Sequence, residues 1–247
     1  MRISLPNVTG IVGLLLAGAI PAEAADQESA PQEAIAYKFT PTYYHITHGP
    51  PAWDYNLRGT RGAQTAWAGY YQRSNEFQQL RLGYEYTVEL PFGRLVPSLQ
   101  YATRGFLGGG VTAEIGERYF GLAGFGRTNL KDYYNLNFDP NDMVMFGVGT
   151  RALPDTTLSL FQIRDNRLDT SQRITHFVAR ISAREKSRWT VDVFYKEGRP
   201  DPGSDAVHGT GVTLTWDYDR YFVRVANDPH VNFSDQRMVR LAAGIRF

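Results

Sequence analysis

The chain is 247 residues long, with 26 Lys and Arg against 25 Asp and Glu and a formal net charge of +1, a balance that gives no footing for nucleic-acid binding. It has no cysteine, which excludes a disulfide framework, a thiolate nucleophile and a cysteine metal site. Its 15 Tyr, 14 Phe and 4 Trp within a 43% hydrophobic composition exclude a disordered chain.

The first 24 residues, MRISLPNVTGIVGLLLAGAIPAEA, carry one early cation (Arg2), an apolar run from Ile11 to Ile20 and the small-residue triplet Ala22-Glu23-Ala24. This is the pattern of a secretory signal peptide cut before Ala25. The apolar run is too short for a membrane helix, which needs about 20 residues.

From Tyr37 onward the chain breaks into alternating segments separated by turn-rich stretches. The clearest is QLRLGYEYTVE: Leu80, Leu82, Tyr84, Tyr86 and Val88 share one face, and Gln79, Arg81, Gly83, Glu85, Thr87 and Glu89 the other. In WTVDVFYK, Trp189, Val191, Val193 and Tyr195 stand against Thr190, Asp192, Phe194 and Lys196. In GVTLTWD, Val212, Leu214 and Trp216 oppose Gly211, Thr213 and Thr215. The pattern predicts twelve strands, at 37–46, 64–73, 77–89, 95–104, 111–126, 143–152, 157–163, 174–183, 189–196, 208–217, 221–227 and 237–247. The stretch 105–126 also reads as two short strands about Gly116, which leaves ten or fourteen open.

Aromatic residues gather at the strand ends: Tyr37, Trp67, Tyr71, Trp189, Tyr195, Trp216 and Tyr221. The connections fall into two alternating classes. Short ones lie near Ser74, Pro154, Glu185 and Asp219; long polar ones are HGPPAWDYNLRGTRG, RTNLKDYYNLNFDPND, RDNRLDTSQR, EGRPDPGSDAV and NDPHVNFSDQ. The chain closes on MVRLAAGIRF, where Val239, Leu241, Ala243, Ile245 and Phe247 alternate with Arg240 and Arg246.

A signal peptide, repeated amphipathic strands and a closing strand with a terminal Phe resemble a Gram-negative outer-membrane β-barrel. The resemblance implies an all-β, antiparallel up-and-down transmembrane barrel with short periplasmic turns and long extracellular loops. It implies residues 1–24 as signal peptide, 25–36 as a periplasmic N-terminal segment and 37–247 as the barrel, in the outer membrane. Outer-membrane lipid and lipopolysaccharide would surround it, and the barrel-assembly machinery would read the C-terminal strand.

With the apolar positions outward, the inward set holds Lys38, Arg81, Arg104, Arg151, Arg180, Lys196, Arg224, Arg240 and Arg246, against Glu85, Glu89 and Asp192. Two readings of that excess stay open. The arginines pair with the few acids and with loop carboxylates and fill the barrel, or they form a basic track that concentrates small anionic solutes. The first reading leaves a plugged structural or adhesive barrel and the second a narrow channel or binding barrel.

All five histidines fall toward the long-loop end: His45, His48, His176, His208 and His230. They read either as ordinary rim residues or as a shared site. His45 and His48 on an extended segment point to opposite faces, which makes them a poor metal pair, and no metal site is expected. The stretch 127–142 gathers Arg127, Asn129, Asp132, Tyr133, Tyr134, Asn135, Asn137, Asp139, Asn141 and Asp142. Asp and Asn bond their own backbone, so a self-packed loop is one reading. An oxygen-ligand calcium site is another, and a carbohydrate- or headgroup-binding surface with Tyr133 and Tyr134 as stacking platforms is the third. An outer-leaflet lipid hydrolase or acyltransferase would have to be assembled from His45 or His48 with Asp54, Thr60 or Thr65 and a loop Asn. No G-x-S-x-G and no His-x-Ser pair supports it.

Overall fold

The computed structural model describes residues 34–74, 77–136, 139–183 and 186–247; the expected signal peptide and most of the 25–36 segment lie outside them. The described residues form one antiparallel sheet that closes on itself. Its strands are β1 (Ala36–Ile46), β2 (Ala52–Arg61), β3 (Gln64–Arg73), β4 (Phe77–Tyr86), β5 (Val88–Leu90), β6 (Gly93–Ala102), β7 (Phe106–Gly116), β8 (Tyr119–Thr128), β9 (Met143–Leu153), β10 (Thr156–Asp165), β11 (Arg173–Ser182), β12 (Ser187–Gly198), β13 (Val207–Tyr218), β14 (Tyr221–Asp228) and β15 (Met238–Arg246). Consecutive strands pair except β4 and β5, which both pair with β6, and β15 pairs with β1.

The barrel therefore has fourteen long strands, not twelve, and the three-residue β5 stands outside that count. It continues the line of β4 in the same register, with Glu85 opposite Ser98 and Val88 opposite Leu95. The gap between them falls beside Pro97, which has no N–H to give to the ladder. Thr87 turns its own N–H to the Ala63 carbonyl at 2.8 Å instead.

Two corrections account for the count. The stretch 52–61, expected as part of a long loop, is strand β2, with Trp53, Tyr55 and Leu57 outward and Asp54, Asn56 and Arg58 inward. Pro50 and Pro51 punctuate its start and mask an alternation that is plainly there. The stretch 111–126, expected as one strand, contains parts of β7 and β8. The chain turns after Gly116, which has φ of +114° and where a Cβ would lie 2.3 Å from the Tyr119 carbonyl oxygen, so the position favours glycine.

One end of the barrel has two-residue turns, Gly62-Ala63, Glu117-Arg118, Pro154-Asp155 and Asp219-Arg220. Gly62, Asp155 and Asp219 each sit at φ 52°, the left-handed geometry that tight hairpins require. The longer connections 129–142, 166–172, 199–206 and 229–237 all emerge at the other end. So does the connection near Ser74, which the sequence had placed among the short turns of the opposite side.

The outer surface is apolar and solvent-facing: Tyr119, Leu99 and Val148 are exposed by 68%, 62% and 62%. Inside, four aromatic rings each lie on a glycine directly across the ladder. The pairs are Trp67 on Gly83, Phe120 on Gly149, Phe194 on Gly211 and Phe222 on Gly244. Trp67 therefore faces the lumen rather than an outer girdle. So does Tyr71, which is fully buried opposite Asp54. Tyr37, Trp189, Tyr195, Trp216 and Tyr221 point outward as expected.

A Cβ at Gly211 would lie 2.1 Å from the Phe194 ring. Gly211→Val is expected to destabilise the barrel by about 1–3 kcal/mol, the usual range for overpacking. Urea unfolding followed by tryptophan fluorescence measures it, and an unchanged midpoint would mean that the ring is free to move aside.

Candidate functional site

The inward residues divide into two layers. In the short-turn half, Lys38, Arg58, Arg94, Arg151, Arg180, Arg188, Arg224 and Arg246 share the inward face with the acids Glu85, Glu89, Glu114 and Asp217, Glu89 standing opposite Arg94. Two of these acids are shared. Glu114 pairs with both Arg94 (3.3 Å) and Arg151, and Asp217 pairs with both Arg188 (3.4 Å) and Arg246. Glu85 meets Arg58 at 3.0 Å. Cations remain in excess, and one aromatic ring takes up part of it. The Phe222 ring has the Lys38 Nζ at 4.4 Å and the guanidinium carbons of Arg246 and Arg224 at 5.2 and 6.0 Å. Its electron-rich face attracts cations that would otherwise repel one another.

The same end holds a cavity of about 320 Å³, lined by Arg151, Arg180 and Arg188 with the hydroxyls of Thr156, Thr157 and Ser182, and by Leu153 and Asp155. Cations beside hydroxyl donors suit a small oxyanion.

The long-loop half is filled. The loop 129–142 between β8 and β9 folds inward. With Val231 and Phe233 of the last loop, its Leu136 completes a buried cluster with Tyr44, Ile46, Ala52, Tyr71, Ile174, Phe194, Ala226 and Met238. Gln79 holds the loop as a second backbone would, donating to the Tyr134 carbonyl (2.8 Å) and accepting from the Tyr134 N–H (3.0 Å). Arg240 donates to the Leu136 carbonyl at 3.2 Å.

Three buried cations in this layer meet carboxylates. Arg81 pairs with Asp54, both buried. Lys196 donates to Asp228 at 2.6 Å and to the His230 carbonyl at 2.9 Å, with the two charged side chains fully buried. His176 faces Asp139 of the loop through Nε2 (2.9 Å) and Asp192 of β12 through Nδ1 (3.0 Å), and its ring stacks on Phe161. An imidazole carrying a proton on both nitrogens satisfies both carboxylates.

Of the inward set named from sequence, Lys38, Arg81, Glu85, Arg151, Arg180, Asp192, Lys196, Arg224, Arg240 and Arg246 all occupy inward positions. Arg104 lies in the turn after β6, with its guanidinium over the inward Phe77 ring. Sequence reasoning missed Arg58, Arg94, Arg188, Asp54, Glu114, Asp217 and Asp228. Asp54 and Arg58 were lost with β2, and Glu114 sat in the segment whose two strands had been merged.

The stretch 127–142 is not an exposed stacking platform. Tyr133 is buried against Phe106, with centroids 4.2 Å apart, and its hydroxyl accepts from Gln100 at 2.6 Å. Tyr134 stacks on Tyr71. Burial pushes both phenols above their usual pKa. The acids of the stretch do not converge: Asp139 goes to His176, Asp142 to Thr128 and Arg167, and Asp132 is exposed. Asn129 donates to the Gly105 carbonyl, and Arg127 to Asn166. Among the described residues no group of three His, Asp or Glu is placed to hold a metal ion.

Nor do the histidines share a site. His45 is exposed on the outer face of β1, His48 lies in the following turn at φ 60°, and Asp54 is inside the barrel on Arg81. The wall separates His45 from the carboxylate that a hydrolase would need.

No protein-family model and no curated protein matches the chain. Among solved structures, the outer membrane protein Omp33 of Acinetobacter baumannii superposes with a TM-score of 0.57 at 9% identity, over 88% of this chain and 100% of that one. The fold is that of the outer-membrane porins. A mutant of the Rh. blastica porin has a TM-score of 0.50 at 9% identity, over 87% and 99%.

In this porin-type barrel, Asp139 ties the folded-in loop to the wall. Asp139→Asn weakens the partner of a buried imidazole, a loss of about 1–3 kcal/mol. Amides of 133–136 should then exchange hydrogen on the order of ten- to a hundredfold faster. Unchanged exchange would show that the apolar contacts alone hold the loop.

Proposed function

We propose that the chain is an outer-membrane barrel that admits small anionic solutes through an arginine-rich lumen, with the long loops outside the cell and the short turns in the periplasm. A leader cut before Ala25 would send it there, and the closing strand ending at Phe247 would serve the barrel-assembly machinery. Support for the placement comes from the exposed apolar surface, bounded by Tyr43, Trp53, Tyr55 and Tyr195 toward the long-loop end and by Tyr37, Trp189, Trp216 and Tyr221 toward the other. So large an exposed apolar surface suits lipid, not water.

The observation that carries the solute reading is the unequal sharing of charge in the short-turn half. Inward cations outnumber the acids there, and single acids serve two arginines. Such a vestibule raises the local concentration of anions and repels cations. The β8–β9 loop is then the constriction, and passage requires it to yield. The buried apolar cluster around Leu136 favours a second reading, a barrel that binds anions in its vestibule without conducting.

Planar bilayers separate the two. A channel should conduct with anion preference, and Arg180→Glu or Arg151→Glu should lower the anion-to-cation permeability ratio several-fold. Absence of any conductance would eliminate the channel and leave the plugged barrel.

A further inference from the structure

We infer that the outer rim formed by β8, β10 and β11 at the long-loop end is a binding site for a phosphorylated lipid headgroup. Arg164 and Arg173 are register partners across the β10–β11 ladder. Both are exposed, and both stand on the outward face by alternation with Ile163 and Ile174, which are buried inside. Like charges directly opposite each other on one face destabilise a ladder, and Glu197, beside Arg173 on β12, supplies one carboxylate for the two arginines.

These guanidiniums are arranged at a definite depth. Arg164 lies over the outward Phe146 ring at 5.1 Å, and Arg127, on β8, lies over the outward Phe125 ring at 4.4 Å. Each aromatic therefore sits at the top of the apolar surface with a cation resting on it. Arg127 donates to Asn166 and Arg164 to Gln162, neutral partners that leave both charges in place, while Arg173 pairs with Glu197 directly across the β11–β12 ladder, so three cations face one carboxylate. Elsewhere along the rim the outward positions include His45, Gln72, Gln78, Glu197, His208 and Asn227, so the arginines are gathered in one sector.

The geometry selects the ligand. An acyl chain would run down Leu160 of β10 and its register partner Val148 of β9, both half-exposed or more. Its phosphoryl group would then stand level with Arg164 and Arg173, where each cation near the membrane surface contributes about 1 kcal/mol. A soluble phosphate has no use for the apolar half of this surface. The inference rests on the membrane placement proposed above and is independent of conductance.

Native mass spectrometry of the detergent-solubilised barrel tests it, with phosphatidic acid, phosphatidylcholine and inorganic phosphate as probes. The barrel should retain phosphatidic acid over phosphatidylcholine by about tenfold or more. Excess inorganic phosphate should not displace it. The double variant Arg164→Gln/Arg173→Gln should lose that preference, and Lys186→Gln, at the opposite end, should keep it. Heat-dependent gel mobility reports whether each variant has folded. If the double variant does not fold, Arg127→Gln should lower the preference partially. Equal retention of the two lipids by the unaltered barrel would overturn the site. So would an unchanged preference in a folded double variant, and displacement by inorganic phosphate would reassign the cluster to a soluble anion.

Discussion

Everything in this molecule depends on the seam between the first and last strands. Tyr37 donates to the Phe247 carbonyl at 2.7 Å and accepts from its N–H at 3.0 Å, and the two rings stack at 5.6 Å. With that seam made and β4 paired with β6, each of the fourteen long strands has two neighbours. A closed ladder leaves the side chains only two destinations. Alternate residues go out to an apolar surface, and the rest must share a confined interior. The charge pattern of the chain follows from that confinement.

The interior handles the confinement differently at its two ends. Toward the long loops, burial is nearly complete and buried charges sit in separate pairings: Arg81 with Asp54, Lys196 with Asp228, and His176 with Asp139 and Asp192. Removing one member of such a pair leaves an uncompensated buried charge, which costs several kcal/mol. Toward the short turns, carboxylates are divided among arginines and Phe222 serves three cations at once. The first arrangement fixes a structure. The second leaves positive potential available to a visitor.

Much of this was legible from alternation alone. Leu80 to Val88 and Trp189 to Tyr195 show their two faces in sequence because one face meets an apolar surface and the other a polar interior. The two classes of connection were visible as well, since tight hairpins need particular residues and long loops do not. Strand β2 was obscured because Pro50 and Pro51 look like the middle of a loop when they in fact precede a strand. Trp67 and Tyr71 were misplaced because an aromatic at a strand end suits a girdle and a glycine-backed interior niche equally well. Tyr133 and Tyr134 could not be placed at all, since their environment is made by Phe106, Tyr71 and Gln100, distant in sequence. Loop residues that fold inward carry no periodic signal.

The rings that lie on glycines have a consequence for assembly. Backbone hydrogen bonds are the same at every rung, so a strand displaced by two residues keeps its full ladder and its inward and outward faces. Hydrogen bonding cannot reject that error. Phe194 can, because it fits over Gly211, whereas one step of two along β13 would place it against Gly209 beside Pro229 or against Thr213. Phe222 makes the same comparison at Gly244, one strand from the seam. Four such fittings around the circumference act as a ruler that marks one alignment as correct, so the closing strand meets β1 in the position where both ends of the sheet agree.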